Sequence, residues 1–274
     1  MLRALRIVLA AAFFLGLNLF FLGFAENLGF LARMQFVPAC LAFNLASVGT
    51  VAAVGVIFVG MTLLAGRLYC SIFCPLGVFQ DIVLWVRRRI VRKDFAYRPG
   101  RPVVRAVSAV LFAALLLGGG ASLAGLIEPY SIYGRFATHL FEPLAAICAN
   151  AAADLAARWG HPCILKTEIF VRGWAAFGVA GVSLVAITVL AAWRGRLFCN
   201  TACPVGALLG LLTLASKTQI KIKLDAAKCA KCGLCAKACK AECIDVANGK
   251  VDQSRCVRCF DCLGTCRKEA LSWK

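Results

Sequence analysis

Four stretches of this chain are too apolar, for too long, to be ordinary helices of a water-soluble protein. They run roughly over residues 7–24, 43–65, 106–127 and 173–193. Each is close to the about 20 residues that a helix needs to cross the hydrocarbon of a bilayer. Inside lipid every backbone N–H and C=O must be satisfied by the chain itself, so such stretches become helices. Composition agrees: 61% of the residues are apolar and only 16% are charged, well away from the balance of a soluble domain. The first stretch follows "MLRALR". Its apolar core is longer than that of a signal peptide, so it reads as an anchor.

The charge sets an expected topology. A formal net charge of +18 in a soluble protein would suggest nucleic acid. In a membrane chain the cations instead hold cytoplasmic loops against anionic lipid headgroups, and no nucleic-acid partner is expected. The connector 66–105 carries Arg67, Arg87, Arg88, Arg89, Arg92, Lys93, Arg98, Arg101 and Arg105 against Asp81 and Asp94, whereas the connector 128–172 is balanced. This asymmetry places the first connector and both termini in the cytoplasm, in a multi-pass protein of a bacterial inner membrane.

Between the apolar stretches one pattern occurs twice: "GRLYCSIFCPLG" over residues 66–77 and "GRLFCNTACPVG" over residues 195–206. Each closes a two-helix hairpin of the same orientation, as expected for a parallel internal repeat about an axis along the membrane normal. Pro75 and Pro204 suit the first position of a helix. Cys74 and Cys203 then fall at its N-cap, where the helix dipole favours thiolate, and Arg67 and Arg196 add positive charge. Cys70, Cys74, Cys199 and Cys203 can converge on a third metal site, iron–sulfur in the first instance. Two other readings stay open: reversible dithiol pairs, and reduced cysteines that pack. After Cys74, Phe79, Ile82, Val83, Val86 and Ile90 recur at helical spacing before Arg87–Arg89. That describes an amphipathic helix on the inner leaflet or a helix packed on the spans. Gly118–Gly120 lie inside the third stretch and read as a site of close helix approach.

Near Ser216 the composition changes. "KTQIKIKLD" alternates as a strand does, and "ECIDVANGKVDQ" reads as a hairpin around Asn248-Gly249. The expected organisation is a membrane domain over residues 1–215 and a small α+β domain over 216–274. The latter contains "CAKCGLCAKAC" and "CVRCFDCLGTC", both with the C-x₂-C-x₂-C-x₃-C spacing of bacterial two-cluster ferredoxins. In that pattern the fourth cysteine of each run serves the other cluster. Cys229, Cys232, Cys235 and Cys266 are therefore assigned to one [4Fe–4S] cluster, and Cys256, Cys259, Cys262 and Cys239 to the other. Zinc also takes four thiolates, but two runs of four at this spacing favour clusters. Lys240 and Arg267 stand where a proline usually follows the fourth cysteine, and their charge favours the reduced clusters. Cys243 reads as a small buried residue.

The chain has sixteen cysteines, and their grouping beside Lys and Arg fits a reducing compartment with metal ligation better than a disulfide framework. Cys148 and Cys163 fall on the expected outer side, where a disulfide can form, and Cys40 lies near the same face. The two histidines, His139 and His161, lie in the outer connector rather than facing each other within spans, so haem is not expected.

Taken together, "GRLYCSIFCPLGVFQD", "EPYSIYGR", "CNTACPVGALLG" and the tail resemble the membrane-bound polyferredoxins of the NapH type. That family includes the four-span iron–sulfur subunit of periplasmic nitrate reductase systems and a methylamine-utilisation homologue. NosR-type regulators and copper-oxidase assembly ferredoxins share the core. The resemblance implies electron transfer between membrane quinol or quinone and another redox protein, by a subunit rather than a self-contained enzyme. Tyr130, Tyr133 and Arg135 are a candidate wall for quinone. The competing reading is an assembly or regulatory factor that reduces a metal ion or thiol through the Cys-x-x-x-Cys-Pro cysteines. The tail gives a direct test: expressed alone from about Ser216 and reconstituted, it is expected to hold about eight irons. Tight zinc binding without visible absorbance would refute the assignment.

Overall fold

The computed structural model describes residues 1–41, 48–91, 94–159 and 173–274. Helix α1 spans Leu2–Phe21, α2 Val48–Ala65, α3 Pro75–Ile90, α4 Pro102–Leu117, α5 Pro129–Arg158, α6 Trp174–Arg194 and α7 Pro204–Ala215. Of these, α1, α5 and α6 are long and apolar enough to cross a membrane, while α4 and α7 are shorter apolar helices. The protein is a helical membrane protein. Cys40, His161 and Cys163 bear on expectations that lie outside the residues whose side chains are described; Cys148 is exposed.

Two elements differ from the sequence-based expectation. The third apolar stretch stops at Leu117 rather than Ile127. Gly118 caps α4 and Gly119 turns the chain at φ +76°, with open space where its Cβ would lie. These glycines end a helix instead of bringing two together. The connector after Glu128 is a long helix rather than a loop. Glu128 caps it, accepting the N–H groups of Tyr130 at 2.9 Å and of Ser131, and Pro129 takes the first position. Over Ala137–Phe141 the helix widens by one π turn.

Helix α3 begins where the sequence places it, with Cys74 as N-cap and Pro75 next. It buries Leu76, Gln80, Leu84 and Arg87 and exposes Ile82, Trp85, Val86 and Ile90. An inward face with polar groups and an outward face of large apolar groups suits a helix whose outer side meets lipid.

In the tail, β1 (Ile222–Leu224) pairs antiparallel with β4 (Leu271–Trp273), and β2 (Ile244–Asp245) with β3 (Lys250–Val251), the turn being made at Gly249 with φ +64°. Two short helices, α8 (Leu234–Ala238) and α9 (Asp261–Thr265), follow the cysteine loops. The two cysteine runs trace the same path. Lys231 and Arg258, Gly233 and Phe260, and Glu242 and Glu269 occupy equivalent places, and all six have positive φ. Five of the six are not glycine, so the loops hold a conformation that most side chains avoid.

The tail is fixed to the helices by buried polar contacts. Arg258 is fully buried and gives Nε to the Ala65 carbonyl at 3.2 Å. Gly66 lies beneath it at φ +79°, and a Cβ there would sit 2.5 Å from Arg258 Nε. The Lys240 carbonyl accepts the Arg196 N–H at 2.9 Å, and a Cβ on Gly195 would sit 2.3 Å from that carbonyl oxygen. At the centre is Asp81 on α3, paired with Arg196 at 2.8 Å, with Lys240 at 3.3 Å and with Arg6. Lys240 also reaches Asp261 at 2.9 Å, and Arg3 reaches the same carboxylate at 2.9 Å. The lysine in the usual proline position thus serves as the joint between tail and helices.

Burial raises the Asp81 carboxyl, but Arg196, Lys240 and Arg6 outweigh it and hold the group well below the usual carboxylate range. A depressed carboxylate contributes stability that is complete above its unfolded value of about 3.9 and is lost as pH falls through the folded value. Asp81→Asn should therefore cost about 3–5 kcal/mol near neutral pH, because it leaves buried cations uncompensated. Denaturant unfolding of the detergent-solubilised chain measures this. An unchanged midpoint at neutral pH would refute the role given to Asp81.

Candidate metal centres

The two repeated loops meet. Arg67, fully buried in the first loop, gives Nη2 to the carbonyl of Cys199 in the second at 2.9 Å. Arg196, fully buried in the second, gives Nη1 to the carbonyl of Cys70 in the first at 2.6 Å. The exchange is reciprocal, as a pseudo-twofold axis requires. It explains the last glycine of each motif. A Cβ on Gly77 would lie 2.3 Å from the Cys70 carbonyl oxygen and 2.8 Å from Arg196 Nη1. On Gly206 it would lie 2.2 Å from the Cys199 carbonyl oxygen and 2.7 Å from Arg67 Nη2. Only a residue without a side chain lets the guanidinium pass.

Cys70, Cys74, Cys199 and Cys203 belong to one buried cluster with Tyr69, Phe198 and Cys259. Cys74 and Cys203 are N-caps in extended conformation with Pro75 and Pro204 following, and Cys203 Sγ accepts the Gly206 N–H at 3.3 Å. The cap geometry is the expected one, and burial acts on the bare thiols against the helix end. Burial, followed by the neighbouring thiols, pushes the Cys74 and Cys203 thiols well up, and burial also raises Cys199. A half-charge at a helix end does not outweigh full desolvation. These thiols are held in their protonated form unless something more positive than a helix terminus sits among them.

The surroundings fit such a group. Arg67 is fully buried, and its partners are the Asn200 side chain at 2.9 Å, two carbonyls and Cys70 Sγ at 3.9 Å; no carboxylate is among them. Its Nε and the buried Nε2 of Gln80 have no hydrogen-bond partner. Gln80 touches the site through Oε1, 3.5 Å from Cys199 Sγ. Buried donors and an uncompensated cation are costly in isolation. A tetrathiolate iron–sulfur cluster is anionic and its sulfurs accept hydrogen bonds, so it answers both.

In the tail, one cavity is lined by Cys229, Cys232, Cys235 and Cys266. Another is lined by Cys239, Cys256, Cys259 and Cys262. The sequence pattern groups the eight cysteines in the same way. Among the described residues no group of three or more His, Cys, Asp or Glu is gathered as for a single ion. Cys243 lies in the second cavity, 3.5 Å from Cys239 Sγ. Hydrogen bonding from Cys243 pulls the Cys256 thiol down to about 6 and also lowers Cys239. Cys243 is buried, as its sequence reading expects. A further signal is its register: the equivalent place in the second run is Ala270, so the position packs against whatever the cavity holds.

Tyr130, Tyr133 and Arg135, the expected quinone wall, lie on α5. Tyr133 is fully buried and donates its hydroxyl to Asn18 at 2.7 Å, Tyr130 packs on Phe21, and Arg135 donates to the Gly125 carbonyl. These groups lock α5 against α1.

Comparison with known proteins follows the repeat. A family model described as "4Fe-4S binding domain" matches residues 48–94 and 175–223, so each match takes in one Cys-x-x-x-Cys-Pro loop with the helix before it and the helix after it. The chain is 30% identical over 193 residues to the ferredoxin-type protein NapH of Escherichia coli K12, covering 69% of this chain and 54% of that protein. It is 25% identical over 190 residues to NapH of Haemophilus influenzae, covering 69% and 53%. To the methylamine utilization ferredoxin-type protein MauN of Methylobacillus flagellatus it is 26% identical over 216 residues, covering 77% and 59%. The chain thus spans about half the length of the curated relatives it matches. No solved structure matches it significantly. Apolar helices, cysteine-lined cavities and these likenesses place the chain among membrane-bound iron–sulfur proteins. Within that class the chain is similar to the NapH and MauN ferredoxin-type proteins.

If the four loop cysteines form one site, the full chain holds about twelve irons and not about eight. Cys70→Ser and Cys199→Ser should each remove the same increment of about four, and the double variant no more than either. Additive losses would point to two separate dithiols.

Proposed function

We propose that the chain relays electrons one at a time between the quinol pool of a bacterial cytoplasmic membrane and a partner redox protein at the cytoplasmic face. The observation that carries this reading is the continuity of its cysteine sites. Cys259 packs in the same buried cluster as the four loop cysteines, and the other tail cysteines Cys235, Cys239, Cys256 and Cys262 share the adjoining one. In this reading Cys229, Cys232, Cys235 and Cys266 hold one cluster, Cys239, Cys256, Cys259 and Cys262 a second, and Cys70, Cys74, Cys199 and Cys203 a third. When bound, such clusters supply one-electron transfer without making or breaking covalent bonds in a partner. The chain's own residues fix the thiolates, exclude water, and through Arg67 place an uncompensated positive charge where added negative charge is stabilised.

The proposed topology has four crossings, by α1, α2, α4 and α6, forming two hairpins of like orientation, with the ferredoxin domain from residue 216 on the cytoplasmic side. Contact between the two loops supports it. Loops that touch lie on one side of the membrane, so the chain between them crosses an even number of times. With α4 and α6 crossing, α5 adds no net crossing despite its length.

The competing reading, reduction of a metal ion or thiol by the loop cysteines, requires those sulfurs to meet a partner from solution. Cys70 is 5% exposed, and Cys74, Cys199 and Cys203 are 4% exposed, which favours the relay. Anaerobic addition of a short-chain quinol to the purified protein should bleach the cluster absorbance. Metal-ion reduction with no quinol response would favour the rival instead. Reporter fusions after Lys274 and near Arg92 should read cytoplasm, and one near Asp154 the outer side. An outer-side signal from Lys274 would overturn the topology, and a cytoplasmic one near Asp154 would make α5 a crossing.

A further inference from the structure

Between α1 and α3, at the end of the bundle that bears the cysteine loops, lies a groove of ≈ 480 Å³. We propose that this groove is the quinone site of the chain, with the ring at its polar end and the isoprenoid tail leaving toward lipid. The inference rests on the quinol reading above and gives it a place.

The groove's walls are apolar. Ile7, Ala10 and Phe14 of α1 face Ile82 and Trp85 of α3 across it. Ile7, Ile82 and Trp85 are exposed, so the groove is open along the side of the helices that meets lipid. Its inner end is polar: Arg3, Arg6, Asp81, Arg88, Lys240 and Asp261 line it. Arg6 is 5% exposed, yet its Nε has no hydrogen-bond partner. A buried donor at the end of an apolar slot calls for an acceptor that arrives with an apolar body. A charged headgroup is a weaker fit, because each cation there is already engaged: Arg6 and Lys240 by Asp81, Arg3 and Lys240 by Asp261, and Arg88 by the Ala238 carbonyl at 2.8 Å. A quinone offers neutral carbonyl oxygens, a flat ring and a long apolar tail.

The position matters as much as the chemistry. Lys240 follows Cys239, and Asp261 lies between Cys259 and Cys262, three cysteines of one tail cavity. Asp81 is bonded to Arg196, which in turn holds the Cys70 carbonyl. The polar end therefore adjoins both the second tail site and the loop site. Oxidation of one bound quinol breaks its two O–H bonds and yields quinone, two protons and two electrons. The electrons would leave singly to the iron–sulfur clusters that Cys239, Cys256, Cys259 and Cys262 and the four loop cysteines would hold, and the protons would leave to water at the polar end. Quinone reduction runs the same balance backwards.

Trp85 lines the groove, so binding has a readout that does not need electron transfer. Decylubiquinone and a short-chain menaquinone should each quench the tryptophan fluorescence of the full-length protein in detergent, and Trp85→Phe should remove most of that change. Ala11→Trp, which fills the groove from the exposed side of α1, should weaken binding about tenfold with iron content and the dithionite-reduced spectrum unchanged. Arg6→Gln should weaken it as well; should that variant misfold, Ala11→Trp still decides. Binding unaffected by Ala11→Trp and Trp85→Phe would overturn the assignment. Quenching by anionic-lipid vesicles but not by either quinone would also overturn it, and would make the groove a lipid site. Quinone binding in the groove without cluster reduction by quinol would uphold the site and refute the relay.

Discussion

Two guanidinium groups crossing between two loops are the constraint from which the rest of this structure follows. Arg67 and Arg196 are each fully buried, and each ends on the backbone of the other's cysteine loop. A guanidinium taken out of water must have its donors filled. Filling them with a carbonyl from the opposite repeat forces the hairpins together and demands glycine at 77 and 206. It leaves four cysteines in one apolar setting. The two charges are then compensated differently. Arg196 has Asp81; Arg67 has only neutral oxygens and sulfur, so the site keeps a net positive character suited to an anionic group.

The same pair of arginines binds the ferredoxin tail. Arg67 reaches the Ser254 carbonyl at 2.9 Å, and the Arg196 backbone reaches the Lys240 carbonyl. Asn200, beside Cys199, donates to the Ala241 carbonyl at 3.2 Å. Docking is thus built from the loops that carry the cysteines, not from a separate surface. For electron transfer this is economical: the contacts that hold the tail in place also bring its second cysteine set beside the loop set. Distance is the property a redox relay must control, and here it is set by buried, directional bonds.

Lys240 shows how one residue can be misread when its neighbours are unknown. From the sequence it is a charge beside a cluster. In the fold it bridges Asp81 of a helix and Asp261 of the tail. The two descriptions are compatible, because a cation that pairs with carboxylates would still act on the potential of a cluster held beside it.

Much was legible in local sequence because it depends on local chemistry. Proline after cysteine predicts a helix start, and α3 and α7 begin there. Alternation predicts β1, and Asn248-Gly249 predicts the turn between β2 and β3. The spacing of the tail cysteines predicts which four line each cavity, since short loops can wrap only one way. The end of α4 was misjudged because three glycines read equally as packing or as termination, and only their surroundings decide. Helix α5 was missed because proline, glutamate and asparagine dilute its apolar content, and its partner α1 lies far away in sequence. The upward shift of the bare Cys74 and Cys203 thiols is not legible in the sequence, because a helix dipole is a local property and desolvation is not. The sequence by itself determined the repeat, the helix starts and the cysteine sets, each fixed by neighbours along the chain. The tertiary structure alone decided that the two loops meet, that Arg67 lacks a carboxylate and that Asp81 joins helix to tail. Burial and ion pairing depend on what long-range folding brings within a few ångströms.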